Sequence, residues 1–233
     1  MKTVLITGAG GNLGGAVVKR FVADGYQVIA VVTPGRKPTE STTGVEFLEA
    51  DLVQEAMVEA MVGKVIEKYK TLDALLLLAG GYEGGNIDKT DGASVKRMHA
   101  LNFETAYYIA RAVFNQMMKQ SGGGRIVFIG ARPAIEAAAA KTAIAYGLSK
   151  SLLFKLSEYL NVTGAENNVV TYVAVPSTID TPPNRQAMPK ADFSTWQKPE
   201  DIAGVLAGLA NTDSAVSEKV VKLYEKKCSV RKN

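Results

Sequence analysis

A short apolar strand, Val4-Leu5-Ile6, runs straight into Thr7-Gly8-Ala9-Gly10-Gly11-Asn12-Leu13-Gly14, and a helical pattern follows at once. This junction constrains the fold more than any other stretch. Glycines at a strand-to-helix turn let backbone approach a ligand closely. The helix N-terminus offers unpaired N–H groups and partial positive charge, which suits a dinucleotide diphosphate.

The rest of the chain repeats the alternation. Runs at Thr3–Thr7, Gln27–Thr33, Val45–Glu49, Ala74–Ala79, Arg125–Gly130 and Val169–Val175 read as strands, with a short last one at Val220–Leu223. Most are continuously apolar, as strands buried on both faces require. Val58, Met61, Val62, Val65 and Tyr69 follow helical spacing, and 103–119 and 143–160 also read as helices. The pattern predicts an α/β chain. It is expected to form one domain over 1–233, a Rossmann-type doubly wound parallel sheet of about seven strands with helices on both faces. Ser177–Pro199 carries Pro182, Pro183, Pro189 and Pro199 among Met188, Phe193 and Trp196. It leaves a strand's carboxyl end and reads as a substrate-side loop or lid.

Composition narrows the function classes. The net charge of +4 sits in the C-terminal stretch 219–233, which carries +5, while the remainder is −1. A basic tail at 224–233 is therefore expected, not a nucleic-acid-binding face. The apolar run Ala74–Ala79 is far too short to cross a bilayer. No secretory pattern opens the chain, so a cytoplasmic location is expected. The single Cys228 excludes an intramolecular disulfide and any cysteine-cluster metal site, and no metal is expected.

Chemistry enters with Tyr146 and Lys150, four residues apart on one helix face. An ammonium beside a phenol favours the phenolate and would lower its pKa, making a proton donor or acceptor. Ligands of open α/β sheets bind outside the strands' carboxyl ends. Those ends carry Gly8, Thr33 with Gly35, Arg36 and Lys37, Asp51-Leu52, Ala79-Gly80-Gly81-Tyr82, Gly130-Ala131-Arg132 and Pro176. A carboxylate after the second strand would bind a ribose 2′-hydroxyl and repel a 2′-phosphate. Thr33 stands there instead, and a guanidinium such as Arg36 can grip a phosphate with two N–H groups. NADP(H) is the expected cofactor, with NAD(H) left open.

The ordered set Thr7-Gly8-x-x-Gly11-x-x-Gly14, Asp51-Leu52, Ala79-Gly80, Asn102, Tyr146-x-x-x-Lys150 and Pro176 through Thr181 resembles the short-chain dehydrogenase/reductase family. That resemblance implies a nicotinamide oxidoreductase acting on a small molecule. It implies cofactor contacts from Gly8, Gly11, Asn12, Leu13, Gly14, Thr33, Arg36, Lys37, Asp51, Leu52, Ala79, Gly80, Gly81, Pro176, Thr178 and Ile179. It makes Tyr146 the catalytic proton donor and Lys150 its partner and a nicotinamide-ribose ligand. By the same resemblance Asn102 would hold a water or the helix geometry behind Lys150. It also implies a homodimer or homotetramer, paired through the helices at 103–119 and 143–160.

A narrower resemblance is to dihydropteridine reductases. It rests on Leu78-Ala79-Gly80-Gly81-Tyr82-Glu83-Gly84-Gly85-Asn86 and on the stretch Ile179 to Trp196. The serine that usually follows the fifth strand in the wider family is Ala131 here, and dihydropteridine reductases also lack it. A quinonoid dihydropterin takes hydride into a conjugated ring, with no secondary alcohol to orient. Tyr82, Ala131, Met188 and Trp196 are the expected substrate-side residues, with Tyr82 or Trp196 stacking on the ring. A reductase of another carbonyl, quinone or imine, and a noncatalytic dinucleotide sensor, remain as alternatives.

Overall fold

The computed structural model describes residues 1–36, 43–213 and 216–224. Lys37, Cys228 and nearly all of the basic tail lie outside the described residues. In chain order the elements are β1 (Thr3–Thr7), α1 (Asn12–Ala23), β2 (Gln27–Val32), β3 (Val45–Glu49), α2 (Glu55–Tyr69), β4 (Ala74–Leu77) and α3 (Gly92–His99). A π-helical turn, Ala100–Glu104, leads into α4 (Thr105–Met117), followed by β5 (Gly124–Ile129), α5 (Ala137–Ala140) and α6 (Ile144–Gly164). The chain continues through β6 (Val169–Val175), α7 (Pro182–Ala187), α8 (Pro199–Ala210) and β7 (Val220–Lys222).

All seven strands pair in parallel in one sheet of order β3-β2-β1-β4-β5-β6-β7. Parallel strands need helical crossovers, and these cover both faces. On one face α2, α4 and α6 bury Val58, Val62, Ile109, Val113, Phe114 and Leu153 against Leu5, Leu75 and Phe128. On the other, α1 and α8 bury Val17, Phe21, Ile202 and Leu206 against Val4, Ile6 and Leu76. The apolar stripe read on α2 is buried as expected, except that Tyr69 is only partly covered and donates its hydroxyl to Glu46.

The chain winds outward in both directions from the β1–β4 pair, so a crevice opens above the carboxyl ends of those two strands. Four expected strand ends are corrected: β2 stops at Val32, not Thr33, and β7 at Lys222, not Leu223. β4 stops at Leu77, not Ala79, because the Leu78 and Ala79 N–H groups leave the ladder and donate to Thr7 Oγ1, 3.1 Å each. β5 stops at Ile129, not Gly130. The helix expected from residue 103 begins as regular α-helix at Thr105, after the π-helical turn. The other long helix runs on to Gly164.

The 177–199 segment is more ordered than its prolines suggest. Pro182 and Pro183 open α7 instead of breaking a helix, since the first turn needs no proline N–H. Gln197 pins the segment. Its N–H donates to Thr178 O and its carbonyl accepts from Asp180 N–H, while its side chain accepts from Ser177 N–H and donates to Leu223 O.

Candidate active site

The cradle is built at the end of β1. Gly8 adopts φ +64°, where a side chain would be strained, and a Cβ there would lie 2.8 Å from Ala79 N. A Cβ on Gly14 would come within 2.7 Å of Ala9 Cα and closer still to the Gly8 carbonyl oxygen. Glycine is thus required for the β1 loop to touch both the β4 end and the first turn of α1. The residue before that helix, Gly11, gives no side-chain cap, so the leading N–H groups around Asn12 and Leu13 are left for an outside acceptor. A loop that a Cβ would fill, below an uncapped helix start, fits the diphosphate of a dinucleotide.

The remaining expected cofactor residues lie along the same edge of the sheet. Thr33 and Arg36 follow β2 and are exposed, with the Arg36 N–H donating to Thr33 O at 3.0 Å. Among the described residues the Arg36 side chain makes no ion pair. Asp51 and Leu52 follow β3, and the Asp51 carboxylate accepts from Val53 N–H at 3.3 Å. Pro176, Thr178 and Ile179 follow β6, where Pro176 is buried and the other two are half-buried.

The chemical centre lies where β4, the π-helical turn, β5 and α6 meet. Asn102, on that turn, is fully buried. Its Oδ1 accepts from Gly81 N–H at 3.0 Å, and its Nδ2 donates to Ser149 Oγ at 3.1 Å. The Ser149 hydroxyl donates to the Tyr146 carbonyl at 2.8 Å. Asn102 therefore ties the β4 end to the helix that carries Tyr146 and Lys150, and a π-turn is how a helix aims one such side chain inward. A Cβ on Gly80 would sit 2.6 Å from Asn102 Oδ1 and 3.3 Å from Lys150 Nζ, so only glycine leaves this junction open.

Lys150 is buried and its Nζ donates to Ile129 O at 2.9 Å. Burial pushes its pKa down to about 8. Tyr146 departs from the sequence expectation. Its pKa is pushed up to about 12, first by burial and then by the neighbouring Tyr82 phenol. The expected lowering by Lys150 does not occur, because the ammonium is turned to the β5 carbonyl and desolvation dominates. Tyr146 is accordingly a protonated phenol, suited to donate.

Of the expected substrate residues, Tyr82 is brought to Tyr146, with ring centroids 5.1 Å apart in a T-shaped pair. Ala131 is buried just beyond β5 and offers no hydroxyl. Trp196 is not brought to Tyr146. Its ring pairs with Phe193 at 4.7 Å, and Phe193 lies under Arg185 at 4.7 Å, so the apolar side chains of this segment pack on one another. Met188 is exposed at the end of α7. A cleft of about 520 Å³ lies between Asn12 and the Asp180, Arg185 and Lys198 side chains. It borders the diphosphate cradle, not Tyr146, and the hydrogen-bond network around Asn102 locates the chemistry better than this cavity does.

Three structural contributors escaped the sequence reading: Thr7 as acceptor for the β4 end, Ser149 as the link from Asn102 to Tyr146, and Gln197 as the pin of the 177–199 segment. Ser149 was signalled by its place three residues after Tyr146, one helical turn on. Thr7 opens the glycine motif, though nothing in sequence signals its bonds to the β4 end, and nothing signals Gln197.

Residues 2–192 match the short chain dehydrogenase family. Dihydropteridine reductase of Dictyostelium discoideum is 27% identical over 236 residues, covering 98% of this chain and 96% of that one. The cyclic-di-GMP-binding biofilm dispersal mediator protein of Escherichia coli K12 is 28% identical, covering 92% and 91%. The solved structure of ElxO with NADP bound superposes with a TM-score of 0.86 at 22% identity, covering 95% of this chain and 96% of that one. An enzyme and a protein described as a nucleotide-binding mediator thus resemble the chain about equally, and these likenesses name no substrate. The chain belongs to the short chain dehydrogenase family, and with its parallel sheet, glycine cradle and Tyr146–Lys150 pair it is an NAD(P)-dependent oxidoreductase by family.

Proposed function

We propose that the chain is an NADPH-dependent reductase of the dihydropteridine reductase type, acting on a quinonoid dihydropterin or a similar conjugated ring. The observation that carries this reading is the Tyr146 phenol, protonated and bordered by the Tyr82 ring instead of by a hydroxyl from the end of β5. An alcohol or ketone substrate is usefully held by a second hydroxyl, whereas a flat ring is positioned by shape and stacking. Tyr82 is the wall for such stacking, and Trp196 is withdrawn from that role by its packing on Phe193.

NADPH supplies the hydride at the nicotinamide ring. Gly8, Gly11 and Gly14 with the α1 N-terminus would hold its diphosphate, Asp51 and Leu52 its adenine side, and Arg36 its 2′-phosphate. Tyr146 donates the proton that balances the hydride on the substrate ring. Lys150, charged below about pH 8 and held on the Ile129 carbonyl, would donate to the ribose. Asn102 fixes the Gly81 backbone and, through Ser149, the Tyr146 carbonyl. NADPH oxidation with quinonoid dihydropterin tests the reading. Turnover is expected, and cofactor binding without turnover on this substrate and on a panel of ketones, quinones and imines would replace it with a dinucleotide sensor.

The cofactor choice has its own test. Arg36→Ala should raise the KM for NADPH by roughly 10- to 150-fold, the worth of a lost charge-assisted hydrogen bond. The KM for NADH should barely move. A wild type that prefers NADH, with that preference unchanged in the variant, would refute the assignment to Arg36.

Self-association through α4 and α6 belongs to the same proposal. On α4, Ile109 and Val113 are buried inside the chain. The outward apolar side chains are instead Tyr107 on α4 and Leu148, Leu152, Tyr159 and Val162 on α6. A helix apolar beyond its core stripe needs a second cover. Light scattering at micromolar concentration should give a dimer or tetramer mass, and a monomer mass would reject the interface.

A further inference from the structure

Tyr82 stands out because an exposed aromatic ring, 68% accessible, is held from three sides. Before it, the Gly81 N–H is fixed on Asn102. After it, Glu83 receives two bonds of 2.8 Å from the Arg97 guanidinium of α3. Two residues on, Gly85 pairs with the strand-like start of α6. Its N–H donates to Thr142 O at 2.8 Å, and its carbonyl accepts from Ile144 N–H at 3.0 Å. Gly84 lies close enough that a Cβ there would be 3.4 Å from the Tyr82 hydroxyl oxygen. A loop that only needed to pass over the surface would not need anchors at 81, 83 and 85. The ring carried between them lies beside the proton donor in a T-shaped contact, centroids 5.1 Å apart.

We propose that Tyr82 is a positioning residue for Tyr146, its anchored ring fixing the orientation of the donor phenol and shielding it from bulk water. This deepens the reductase reading and rests on it for its kinetic arm only. The T-shaped geometry gives the pair a favourable contact beyond simple burial. The raised pKa of Tyr146 has burial as its first cause and Coulombic interaction with Tyr82 as its second, and only the first is a shielding effect. Several charged groups on the elements around Tyr146 are committed elsewhere, while Lys96 of α3 and Lys141 before α6 lie in exposed positions. Lys150 is on Ile129 O, Glu83 pairs with Arg97, and beyond β5 Arg132 pairs with Glu136, which also accepts from the Tyr224 hydroxyl.

Two experiments test it. In the cofactor-free protein labelled with carbon-13 at the tyrosine Cζ, the Tyr146 signal is assigned with Tyr146→Phe. At about pH 10.5, where an ordinary tyrosine is largely ionised, wild-type Tyr146 should keep its phenol shift. In Tyr82→Ala it should move substantially towards phenolate, with the remaining spectrum still folded. An unmoved signal in Tyr82→Ala would overturn the shielding. The second arm is a double-mutant cycle on kcat. Tyr82→Ala should lower kcat about three- to tenfold, the size of an aromatic pair's coupling. Tyr82→Phe should restore it. In the Tyr146→Phe background Tyr82→Ala should cost clearly less, leaving only what its stacking on the substrate ring contributes. An equal loss in both backgrounds would mean that Tyr82 acts on substrate and not through Tyr146. If no substrate is turned over, the reductase reading fails while the labelled titration still decides the role of Tyr82.

Discussion

Tyr146→Phe should lower kcat by about 10²-fold, the low end of the roughly 10²–10⁴-fold that general acid catalysis contributes. The low end is expected because a quinonoid ring accepts hydride readily and needs only a proton to finish. Cofactor affinity should be unchanged, since the hydroxyl is lost while Lys150, Asn102 and the cradle stay in place. Single-turnover reduction and fluorescence titration of NADPH separate the two effects. Undiminished turnover would remove Tyr146 from the mechanism. The pH profile gives a second check on the same site. Burial lowers Lys150 to about 8 and raises Tyr146 to about 12. As pH rises, the charge on Lys150 is the first feature lost. Reduction by the wild type should therefore fall on the alkaline side near pH 8, far below the ionisation of Tyr146. A profile flat to pH 10 would mean that Lys150 acts without its charge.

Gly14→Ala should weaken cofactor binding by about 10²-fold. Its Cβ would overlap the Gly8 carbonyl and lie 2.7 Å from Ala9 Cα, so the loop must move by about 1 Å. A displacement of that size costs about 10²-fold where geometry is preorganised. Overpacking of this kind also destabilises the fold by about 1–3 kcal/mol. Gly15→Ala is the control. A Cβ at Gly15 meets nothing within 4 Å, and alanine is the better helix former by roughly 0.5–1 kcal/mol. The two variants should therefore shift thermal stability in opposite directions, with cofactor affinity weakened in the first and kept in the second. Equal affinity in both would show that the cradle does not hold the diphosphate.

The Tyr146 result also bears on how its ionisation should be read. Spacing alone puts Lys150 one turn away and suggests an activated phenolate. In the fold, the β5 carbonyl of Ile129 takes the ammonium and burial governs the phenol. The burial of Tyr146 favours a protonated donor, so the electrostatic reason inferred from the spacing is reversed.

The sequence by itself determined the parallel α/β architecture, because continuous apolar runs alternating with helical stripes have few other ways to be buried. It also determined the glycine cradle, since Gly8 and Gly14 occupy places where a Cβ has no room. Its strand ends located most of the candidate site, because ligands gather at that edge whatever the side chains do. Only the tertiary structure decided what depends on contacts between distant segments. Asn102 reaches Gly81 and Ser149 across 21 and 47 residues, and Thr7 meets the β4 end across 71 and 72. No local pattern encodes such partners. Tyr82 and Trp196 look interchangeable as aromatic walls in the sequence. Packing separates them, because Phe193 and Arg185 give Trp196 a cover of its own, while the anchors at 81, 83 and 85 leave the Tyr82 ring against Tyr146.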